Sequence, residues 1–286
     1  MQKSLVRKGL VLGILIVFIG ASIIPSIGGS VVERRYLKDN KTLVKGLNFE
    51  GNILYVGGTG SGNYTSIQDA IDDASNGDLV FVYDRLSPYT ENIMIIGKSI
   101  TLMGEDKGTT IIQSYTSNNT IYINANNVIV LGFSIMYSNY SGIYLSESED
   151  CSIYLNNIKY NYYGIMIDDS SNNNLIYNNN FEYNIENAYD EGDNKWSKPF
   201  PTGGNYWYDY EDRYPNAKKI LWFWDTPYEI PGGDMAEIAD LLPHVYYLEM
   251  SKDKSYNNNF NMLNRFFEKL PNIFQILINL LRQQYF

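Results

Sequence analysis

The sequence predicts an all-β fold, a parallel β-helix whose coils are 22–23 residues long. Three observations lead to this prediction. Apolar residues repeat in rows at that period, and self-similarity over roughly 20 to 50 residues is typical of stacked repeats. Within each repeat the apolar positions alternate at i and i+2, which is the period of a strand. Asparagines recur between the apolar rows, where the corners of a coil are expected.

Two sets of rows define the coils. One set repeats every 23 residues and the other every 22. The 23-residue rows are Val130, Ile153 and Ile176; Ile135, Ile158 and Phe181; and Tyr137, Tyr160 and Tyr183. The 22-residue rows are Gly142 and Gly164; Ile143 and Ile165; and Ile123, Leu145 and Ile167. We expect at least two short strands in each coil, with the apolar residues buried and stacked on their partners in the next coil.

The leucine-rich repeat is a second solenoid with coils of this length, but it fits less well. Its consensus places an asparagine three residues after a leucine, whereas here Leu155 is followed by Ile158. The rest of the coil lacks helix formers. Disorder, the other interpretation of an Asn-rich tract, is disfavoured because the in-phase apolar rows give each coil a face to bury. Asparagine suits left-handed corners, and its amides can stack. The corner asparagines are Asn156, Asn157, Asn161, Asn179, Asn180 and Asn184.

Residues 1–29 have the layout of a signal peptide or a membrane anchor. Basic residues precede an apolar run from residue 10 to 27, and residues 30–51 form a polar linker. The protein is therefore predicted to be secreted or displayed at the cell surface, and tethered to the membrane if the N-terminal segment is retained. Four sequons compatible with glycosylation begin at Asn40, Asn63, Asn118 and Asn139.

The overall charge argues against nucleic acid as a partner. The formal net charge is −10, the sequence pI is near 4.7, and the chain has no basic stripe for phosphate binding. The single cysteine, Cys151, excludes an intramolecular disulfide and is expected to be a packed thiol. The chain has one histidine, His244, and eight scattered methionines. Because copper sites are built from clusters of such ligands, we expect no copper, no tightly held calcium or other metal, and no cofactor.

The β-helix with its N-terminal cap is predicted to occupy residues 52–190. A strand over residues 53–56 is followed by a Gly-rich turn and by a helix that opens at Thr65 or Ser66 and ends near residue 76. This helix is expected to plug the open end of the solenoid, which would otherwise expose its core. Strands at residues 79–82 and 100–103 then begin the coils.

Several ordered motifs resemble those of a known superfamily. They are ILYVGGTGSGNYTSIQDAIDDASNGDLVFVY, YTENIMIIGKSITLMGED, NAYDEGDNKW, GGNYWYDY and DTPYEIPGGD. Over roughly residues 52–243 the chain resembles the right-handed parallel β-helix proteins of the pectin-lyase-like superfamily. The closer resemblance is to the NosD-like group, whose repeats are named for carbohydrate-binding proteins and sugar hydrolases, in its archaeal secreted type.

The resemblance implies the fold and its handedness, but it does not select an activity. The superfamily contains lyases, hydrolases, epimerases and non-catalytic binders. Many relatives carry an Asp/Gly-rich stretch resembling a calcium loop where this chain has residues 211–224. The absence of that stretch removes the expectation of calcium there.

The best catalytic candidates are acidic residues on adjacent coils. Asp169 follows Glu147 by 22 residues, so stacking would place the two about one strand spacing, ~4.8 Å, apart, with Asp168 beside them. Such carboxylates could act as acid and nucleophile or bind calcium. Lys159 is the nearest base in the repeat. The plainer interpretation is a solvated acidic turn, and we expect Glu147 and Asp169 to face water with Lys159 on another face.

Aromatic residues supply candidates for sugar binding, because their rings stack on the C–H faces of pyranoses. The ligand-binding candidates are Tyr137, Tyr160 and Tyr183 on the coils and Trp207 in an aromatic-rich closing module. This module comprises residues 191–245. The alternative role of its tryptophans is to cover the open C-terminal end of the solenoid.

Residues 246–286 combine a polar linker with an amphipathic tail. Between residues 262 and 284 apolar side chains recur at three- and four-residue steps, interrupted by Pro271, which predicts two short helices. These helices are too short to span a bilayer. They are expected to pack along the β-helix, to lie at a membrane interface or to mediate self-association.

Together these features predict an extracellular or cell-surface β-helix protein that binds polysaccharide or serves as an envelope or adhesion element. The first alternative is a polysaccharide lyase, glycoside hydrolase or epimerase that uses the outer-surface carboxylates. The second is a structural surface protein without a ligand.

Overall fold

The computed structural model describes residues 51–199, 202–220, 223–233, 235–236 and 239–240. The chain divides into two compact units, Met1–Gly46 and Leu47–Phe286, and every described residue belongs to the second. The predictions for the N-terminal segment and its linker, for Asn40 and His244, and for residues 246–286 lie outside the described residues. Among the residues that are described, none of the helices has the length and apolar character needed to cross a membrane.

Short strands make up most of the described chain. In the coils, the strands are β1 (Ile53–Val56), β2 (Leu79–Val82), β3 (Tyr89–Thr90), β4 (Ile93–Ile96), β5 (Thr101–Gly104), β6 (Ile111–Gln113), β7 (Ile121–Asn124), β8 (Ile129–Leu131), β9 (Ser134–Met136), β10 (Ser141–Leu145), β11 (Ser152–Tyr154), β12 (Asn157–Lys159), β13 (Tyr163–Ile167), β14 (Leu175–Tyr177), β15 (Asn180–Glu182) and β16 (Glu186–Asp190). Beyond them follow β17 (Asn205–Trp207), β18 (Lys219–Ile220), β19 (Phe223–Trp224), β20 (Tyr228–Glu229), β21 (Met235–Ala236) and β22 (Ala239–Asp240). The helices are α1 (Ile67–Asp73), α2 (Tyr210–Arg213) and a 3₁₀ turn at Asp84–Leu86.

Parallel pairing of the coil strands forms three sheets that wind into a β-helix, as predicted. Sheet A contains β1, β2, β5, β8, β11 and β14, and sheet C contains β4, β7, β10, β13 and β16. Sheet B runs from β3 through β6, β9, β12, β15 and β17 to the strands of the closing module. The complete coils therefore hold three strands each, one more than the predicted minimum. The predicted rows pair in register as Ile153 with Ile176 in sheet A, Ile158 with Phe181 in sheet B and Ile143 with Ile165 in sheet C.

The core is a stack of apolar side chains from all three sheets. The ladder isoleucines that are at most 1% exposed include Ile153, Ile158, Ile165, Ile167 and Ile176, which confirms the predicted burial. Each such side chain contributes roughly 1.5–3 kcal/mol by leaving water. Cys151 is 1% exposed, and burial raises the pKa of its thiol to about 11. This thiol is packed and protonated at neutral pH.

Ladders of buried asparagine side chains close the corners of the coils. Asn179 Oδ1 accepts hydrogen bonds from the backbone N–H and from Nδ2 of Asn156, both at 3.1 Å. Asn179 Nδ2 donates to the carbonyl of Ile153 at 2.8 Å, and Asn205 extends the ladder by accepting from Asn179. Each amide therefore satisfies backbone groups that the corner would leave unpaired. Equivalent pairs at the other two corners are Asn174–Asn194 and Asn161–Asn184.

Helix α1 packs on the first coil, as the sequence predicted. Ser66 is the N-cap, and the carboxylate of Glu91 accepts hydrogen bonds from the first two helical N–H groups, both at 3.0 Å. The apolar face of the helix is buried in the core. The helix stops at Asp73, before the predicted end, because the carboxylate of Asp78 accepts the N–H of Ser75 at 2.8 Å and turns the chain.

Stacked aromatic residues cover the other end of the core. Trp207 in β17 stacks between Phe181, with ring centroids 4.5 Å apart, and Tyr228, at 4.0 Å. Trp196 donates its indole N–H to Asp190 at 2.7 Å. The two tryptophans are 1% and 2% exposed. They close the core, which is the alternative role that the sequence offered for them.

Candidate functional site: an exposed tyrosine ladder

Five exposed tyrosines stack in a row along one corner of the β-helix, and we call this row the tyrosine ladder. Its rungs are Tyr115, Tyr137, Tyr160, Tyr183 and Tyr208, and they are between 38% and 61% exposed. The ring centroids are separated by 5.5, 5.6, 5.2 and 4.2 Å in that order. The first three pairs are parallel to within 15°. Four strand spacings of ~4.8 Å make the ladder about 19 Å long.

The three central rungs adopt a backbone conformation that is unusual for tyrosine. The φ angle is +65° at Tyr137, +58° at Tyr160 and +55° at Tyr183, each directly after a strand of sheet B. A non-glycine residue held in this left-handed region costs about 1–3 kcal/mol. Two other columns of corners also have positive φ, but different residues fill them. These are Asn127, Asp150 and Asn173 in one column and Gly132, Leu155 and Asn178 in the other.

The amide ladder beneath the tyrosines holds the rungs in register. Asn184 Oδ1 accepts from the backbone N–H and from Nδ2 of Asn161, at 3.0 and 3.1 Å. Asn161 Oδ1 in turn accepts the N–H of Ser138 at 3.0 Å. Each of these residues directly follows a central rung in the sequence. A Cβ on Gly142 would lie 2.9 Å from Asn161 Nδ2, so the glycine row provides the space that the amide ladder occupies.

Stacking leaves the ring edges and hydroxyls of the ladder open to solvent. Because the first four rings are parallel and about one strand spacing apart, and Tyr208 lies tilted at 45° against Tyr183, the inner rings cover the faces of their neighbours. A sugar can stack on a ring face only at an end of the ladder. Along its length the sugar meets a row of phenol hydroxyls, each able to donate and accept. A hydrogen bond with Tyr208 raises the pKa of Tyr183 to about 12, so this hydroxyl is protonated at neutral pH.

A polar strip on the outer face of sheet B runs beside the ladder. Tyr115 donates its hydroxyl to Gln113 in this strip at 3.3 Å, and Asn180 Nδ2 donates to Asn157 Oδ1 at 2.8 Å. Gln113, Lys159 and Glu182 are the half-buried polar side chains of the strip next to the phenol row, whereas Ser134, Met136 and Asn180 are only 2%, 7% and 4% exposed. The outward residues of the strip in register are Gln113, Met136, Lys159 and Glu182 in one row and Ile111, Ser134, Asn157 and Asn180 in the next.

Lys107 is a buried amine beside this strip, and no pattern in the sequence indicates it. It is 4% exposed, and its Nζ has no hydrogen-bond partner among the described residues. Its carbonyl accepts from Ser134 Oγ at 2.6 Å and from Asn157 Nδ2 at 3.1 Å, which ties its loop to sheet B. Burial lowers the pKa of Lys107 to about 8, against the opposing charge of Glu182. Because the amine is buried, it cannot contact a ligand at the surface. Its charge instead affects the free energy of unfolding.

The predicted catalytic carboxylates lie at a different corner from the ladder. Glu147 and Asp169 are exposed in the turns that follow β10 and β13 of sheet C. Asp168 accepts from Ser171 Oγ at 2.7 Å and from the N–H of Glu147 at 3.4 Å, so it fixes the turns. Lys159 lies in β12 of sheet B. The structure therefore places the carboxylates and Lys159 on different faces of the coil.

Three of the four predicted ligand-binding residues belong to the ladder, and Trp207 does not. Trp207 is 2% exposed between two core rings and cannot contact a ligand at the surface. Neither end rung belongs to the 23-residue row that predicted the central ones. Tyr115 precedes Tyr137 by 22 residues, so the shorter of the two periods could have revealed it. Tyr208 follows Tyr183 by 25 residues, because the last coil is longer.

The donor groups of the described residues do not suit a copper site. Within the described ranges no three His, Cys, Asp or Glu side chains gather in a way that could hold a metal ion. Cys151 is buried, and the raised pKa of its thiol opposes the thiolate that a soft metal needs.

The chain is similar to several known proteins. An alginate lyase from Paenibacillus sp. str. FPU-7 has a solved structure that is 13% identical, with a TM-score of 0.39, over 58% of this chain and 53% of the lyase. A cell surface glycoprotein of Methanothermus fervidus is 39% identical over 111 residues, which are 36% of this chain and 18% of that protein. The chain thus spans less than a fifth of the length of this curated relative.

Residues 38–212 match the family model described as periplasmic copper-binding protein (NosD). That description names copper, but the described residues contain no cluster of His, Cys, Asp and Glu side chains that could bind a metal ion. The match nevertheless covers more than half of the sequence, and the chain belongs to the NosD family.

Proposed function

We propose that this protein binds neutral polysaccharide at the cell surface along the tyrosine ladder. The observation that carries the proposal is the residue type at three strained corners. Glycine and asparagine adopt positive φ at little cost, yet Tyr137, Tyr160 and Tyr183 hold exposed rings in that conformation. Positive φ also occurs at Leu155 and Glu147, but the three tyrosine corners all carry exposed, stacked rings. Strain held at such a surface cluster is characteristic of a site with a role beyond folding.

The shape of the ladder suits an extended polymer. Its rungs repeat at about one strand spacing, ~4.8 Å, which is close to the length of one sugar in an extended polysaccharide. Successive sugars would therefore meet equivalent phenol hydroxyls. The terminal sugar could also stack on the outer face of an end rung. Contacts that are individually weak gain strength when a ligand makes several at once.

The charge of the protein favours a neutral polymer over an acidic one. The formal net charge is −10 at pH 7, and the polar strip beside the ladder contains Glu182 as well as Lys159. An acidic polysaccharide would be repelled on approach, and this repulsion weakens only as salt screens it. The phenol groups are uncharged at neutral pH, so binding to a neutral polymer requires no ion pair.

The cell-surface location is supported by sequence features and by a relative. The N-terminal segment has the layout of an export signal, and one curated relative is named a cell surface glycoprotein. The sequon residues Asn118 and Asn139 are exposed, which is compatible with glycosylation. Asn63 is half-buried, and its Nδ2 donates to the carbonyl of Gly57.

Retention on immobilised polysaccharides tests the proposal with the full chain. The panel contains neutral glucans, mannans and chitin together with acidic alginate and pectate. Tyr160→Ala breaks the ladder at its centre and should weaken retention by about tenfold, or ~1.4 kcal/mol. Tyr160→Phe keeps the stack but removes the hydroxyl, and should weaken it by a smaller factor. The matched control is Tyr122→Ala, which removes a half-buried tyrosine ring from sheet C and should bind like the parent.

Four results would contradict the proposal. Preference for acidic polymers would refute the charge argument, and equal losses in Tyr160→Ala and Tyr122→Ala would show that the ladder is not the site. Release of reducing or unsaturated sugar ends that disappears in Asp169→Asn would establish the enzymatic alternative instead. Absence of retention on every polymer would favour the structural surface protein.

A further inference from the structure

Tyrosines on the outer face of sheet C and at the corner before it are tilted against one another, unlike the first rungs of the ladder. We call Tyr140, Tyr144, Tyr163 and Tyr189 the tilted tyrosine cluster. Neighbouring rings in this cluster have centroids 6.0–6.5 Å apart and meet at angles of 56° to 86°. Parallel rings cover one another, whereas rings that meet at an angle leave π faces available to a ligand.

Tyr140 is the centre of the cluster because it meets two rings nearly at right angles. Its ring centroid lies 6.5 Å from that of Tyr144, at 86°, and 6.1 Å from that of Tyr163, at 82°. The N–H of Tyr163 donates to the carbonyl of Tyr140 at 2.7 Å, which fixes the two residues side by side on adjacent coils. Tyr140 is 38% exposed, and the other two are half-buried. A ligand can therefore reach both pairs of rings from solvent.

The separation of these rings suits a bound ammonium group. Elsewhere in the protein, the ammonium group of Lys198 lies 4.1 Å from the ring centroid of Tyr177. That of Lys219 lies 4.8 Å from the centroid of Trp224. A cation at such distances from two perpendicular ring faces requires centroids that are √2 times as far apart, or about 5.8–6.8 Å. Both pairs of rings at Tyr140 fall within this range.

The charge around the cluster is negative, which favours a cation. Residues 108–194 contain ten acidic residues and one basic residue, Lys159, which lies in sheet B. Burial raises the pKa of the Tyr144 hydroxyl, and the charge of the neighbouring Asp168 adds to this rise.

Asp168 is the carboxylate that is free to pair with a bound cation. Its hydrogen bonds from Glu147, Ser170 and Ser171 all go to Oδ1, and Oδ2 has no hydrogen-bond partner within the described part of the chain. Glu186 lies on the other side of the cluster, but Arg213 pairs with it at 3.9 Å. Asp168 therefore supplies an uncompensated charge beside the open rings.

We propose that the rings of Tyr140, Tyr144 and Tyr163 bind a quaternary ammonium group, with Asp168 as its counter-ion. Aromatic faces attract cations through the ring quadrupole, and recognition of quaternary ammonium groups is a common use of such sites. A quaternary ammonium group has no N–H to satisfy, so π faces and one carboxylate are sufficient to hold it. The site involves none of the rungs of the tyrosine ladder, so it is independent of the polysaccharide proposal.

Titration of the full chain with choline, followed by saturation-transfer NMR of the choline methyl signal, tests the proposal. The matched control ligand is 3,3-dimethyl-1-butanol, which has the shape of choline but carries a carbon in place of the charged nitrogen. Choline should bind with a millimolar dissociation constant, as a few cation–π contacts allow. The neutral analogue should bind at least about tenfold more weakly. Equal affinities, or no binding of choline, would overturn the proposal.

Variants of the ring that the two pairs share locate the site. Tyr140→Ala removes this ring and should weaken choline binding at least about tenfold, whereas Tyr140→Phe keeps the π face and should stay within about threefold of the parent. The matched control is Tyr154→Ala, which removes a half-buried ring that stacks parallel on Tyr177 and should leave choline binding unchanged. Unchanged binding in Tyr140→Ala, or an equal loss in Tyr154→Ala, would refute the assignment.

Variants of the counter-ion give a second measurement that leaves every ring in place. Asp168→Asn should weaken choline binding by about three- to tenfold, because it removes the charge beside the rings. Asp169→Asn makes the same change in net charge at the next, exposed residue, and should have a smaller effect. Equal effects of the two variants would show that only the overall charge attracts choline, and would refute the site even if Tyr140→Ala failed to fold.

Discussion

Replacing Tyr160 by glycine should destabilise the protein less than replacing it by alanine, which reverses the usual order for these two residues. Both substitutions remove the ring and its stacking on Tyr137 at 5.6 Å and Tyr183 at 5.2 Å. Each stacked pair contributes about 0.5–1.5 kcal/mol, so either variant loses about 1–3 kcal/mol of stacking. The two variants differ in the backbone, because φ at this residue is +58°.

The backbone difference sets the size of the effect. The left-handed conformation costs alanine roughly 1–2 kcal/mol, whereas glycine adopts it freely. Glycine also increases the entropy of the unfolded chain, and this lowers the stability of the glycine variant by about 0.4–1 kcal/mol. The net expectation is that Tyr160→Gly is more stable than Tyr160→Ala by about 1 kcal/mol, with both less stable than the parent.

Equilibrium unfolding in urea, followed by circular dichroism, measures this difference as a shift of the midpoint at constant slope. The matched control is Tyr154, which stacks on Tyr177 at 4.9 Å but lies in a strand of sheet A without a positive φ. There the alanine variant should be the more stable one. If Tyr160→Gly were less stable than Tyr160→Ala, the strain at the tyrosine corners would have to be negligible and the reasoning would fail.

Three further predictions concern buried polar groups and titration. Asn179→Ala should cost about 3 kcal/mol in urea unfolding, because it strands the backbone N–H of Asn156 in the core, whereas exposed Asn118→Ala should change stability by less than ~0.5 kcal/mol. Lys107→Met should stabilise the protein by up to about 3 kcal/mol near pH 7. Because the pKa of Lys107 is lowered to about 8 in the folded state, this gain should shrink as pH rises above 8, where the parent becomes more stable; a constant gain between pH 7 and 9.5 would refute it. Tyr208→Phe should lower the pKa of Tyr183 from about 12 towards its ordinary value in a spectrophotometric titration, and an unchanged pKa would show that the hydrogen bond is not its main cause.

The periodicity of the sequence was sufficient to predict the fold, because every coil repeats the same physical constraints. The row of Val130, Ile153 and Ile176 identifies strands that pair in register, and Asn156 with Asn179 identifies a corner. The third sheet was underestimated because sheets A and B follow each other after a very short corner.

The candidate site was predicted in part, for reasons that depend on the residue. The 23-residue row revealed the central rungs, but neither their positive φ nor the covering of ring faces by neighbouring rungs can be derived from spacing. Trp207 was misassigned because an aromatic residue at the end of a solenoid can face either the core or the solvent. Lys107 was not predicted, because its burial depends on a loop that folds onto sheet B. This loop is not part of the sequence repeat.

The tyrosine ladder should be separable from the stability of the protein. Stacking contributes about 0.5–1.5 kcal/mol for each pair, and the left-handed corners cost about 1–3 kcal/mol for each rung, so the two effects nearly cancel. Asparagine fills equivalent corners at Asn127, Asn173 and Asn178. A triple variant with asparagine at Tyr137, Tyr160 and Tyr183 should therefore fold and unfold in urea within about 2 kcal/mol of the parent.

If the ladder binds polysaccharide, this triple variant should lose retention on every polymer that the parent binds while it keeps the circular dichroism spectrum of a β-helix. Retention that survived would exclude the ladder as the binding site. A variant that failed to fold would show instead that stacking outweighs the strain at the corners, and the tyrosines would then be explained by stability alone. The experiment thus separates the two reasons for which a sequence would place a bulky ring where asparagine suits the backbone better.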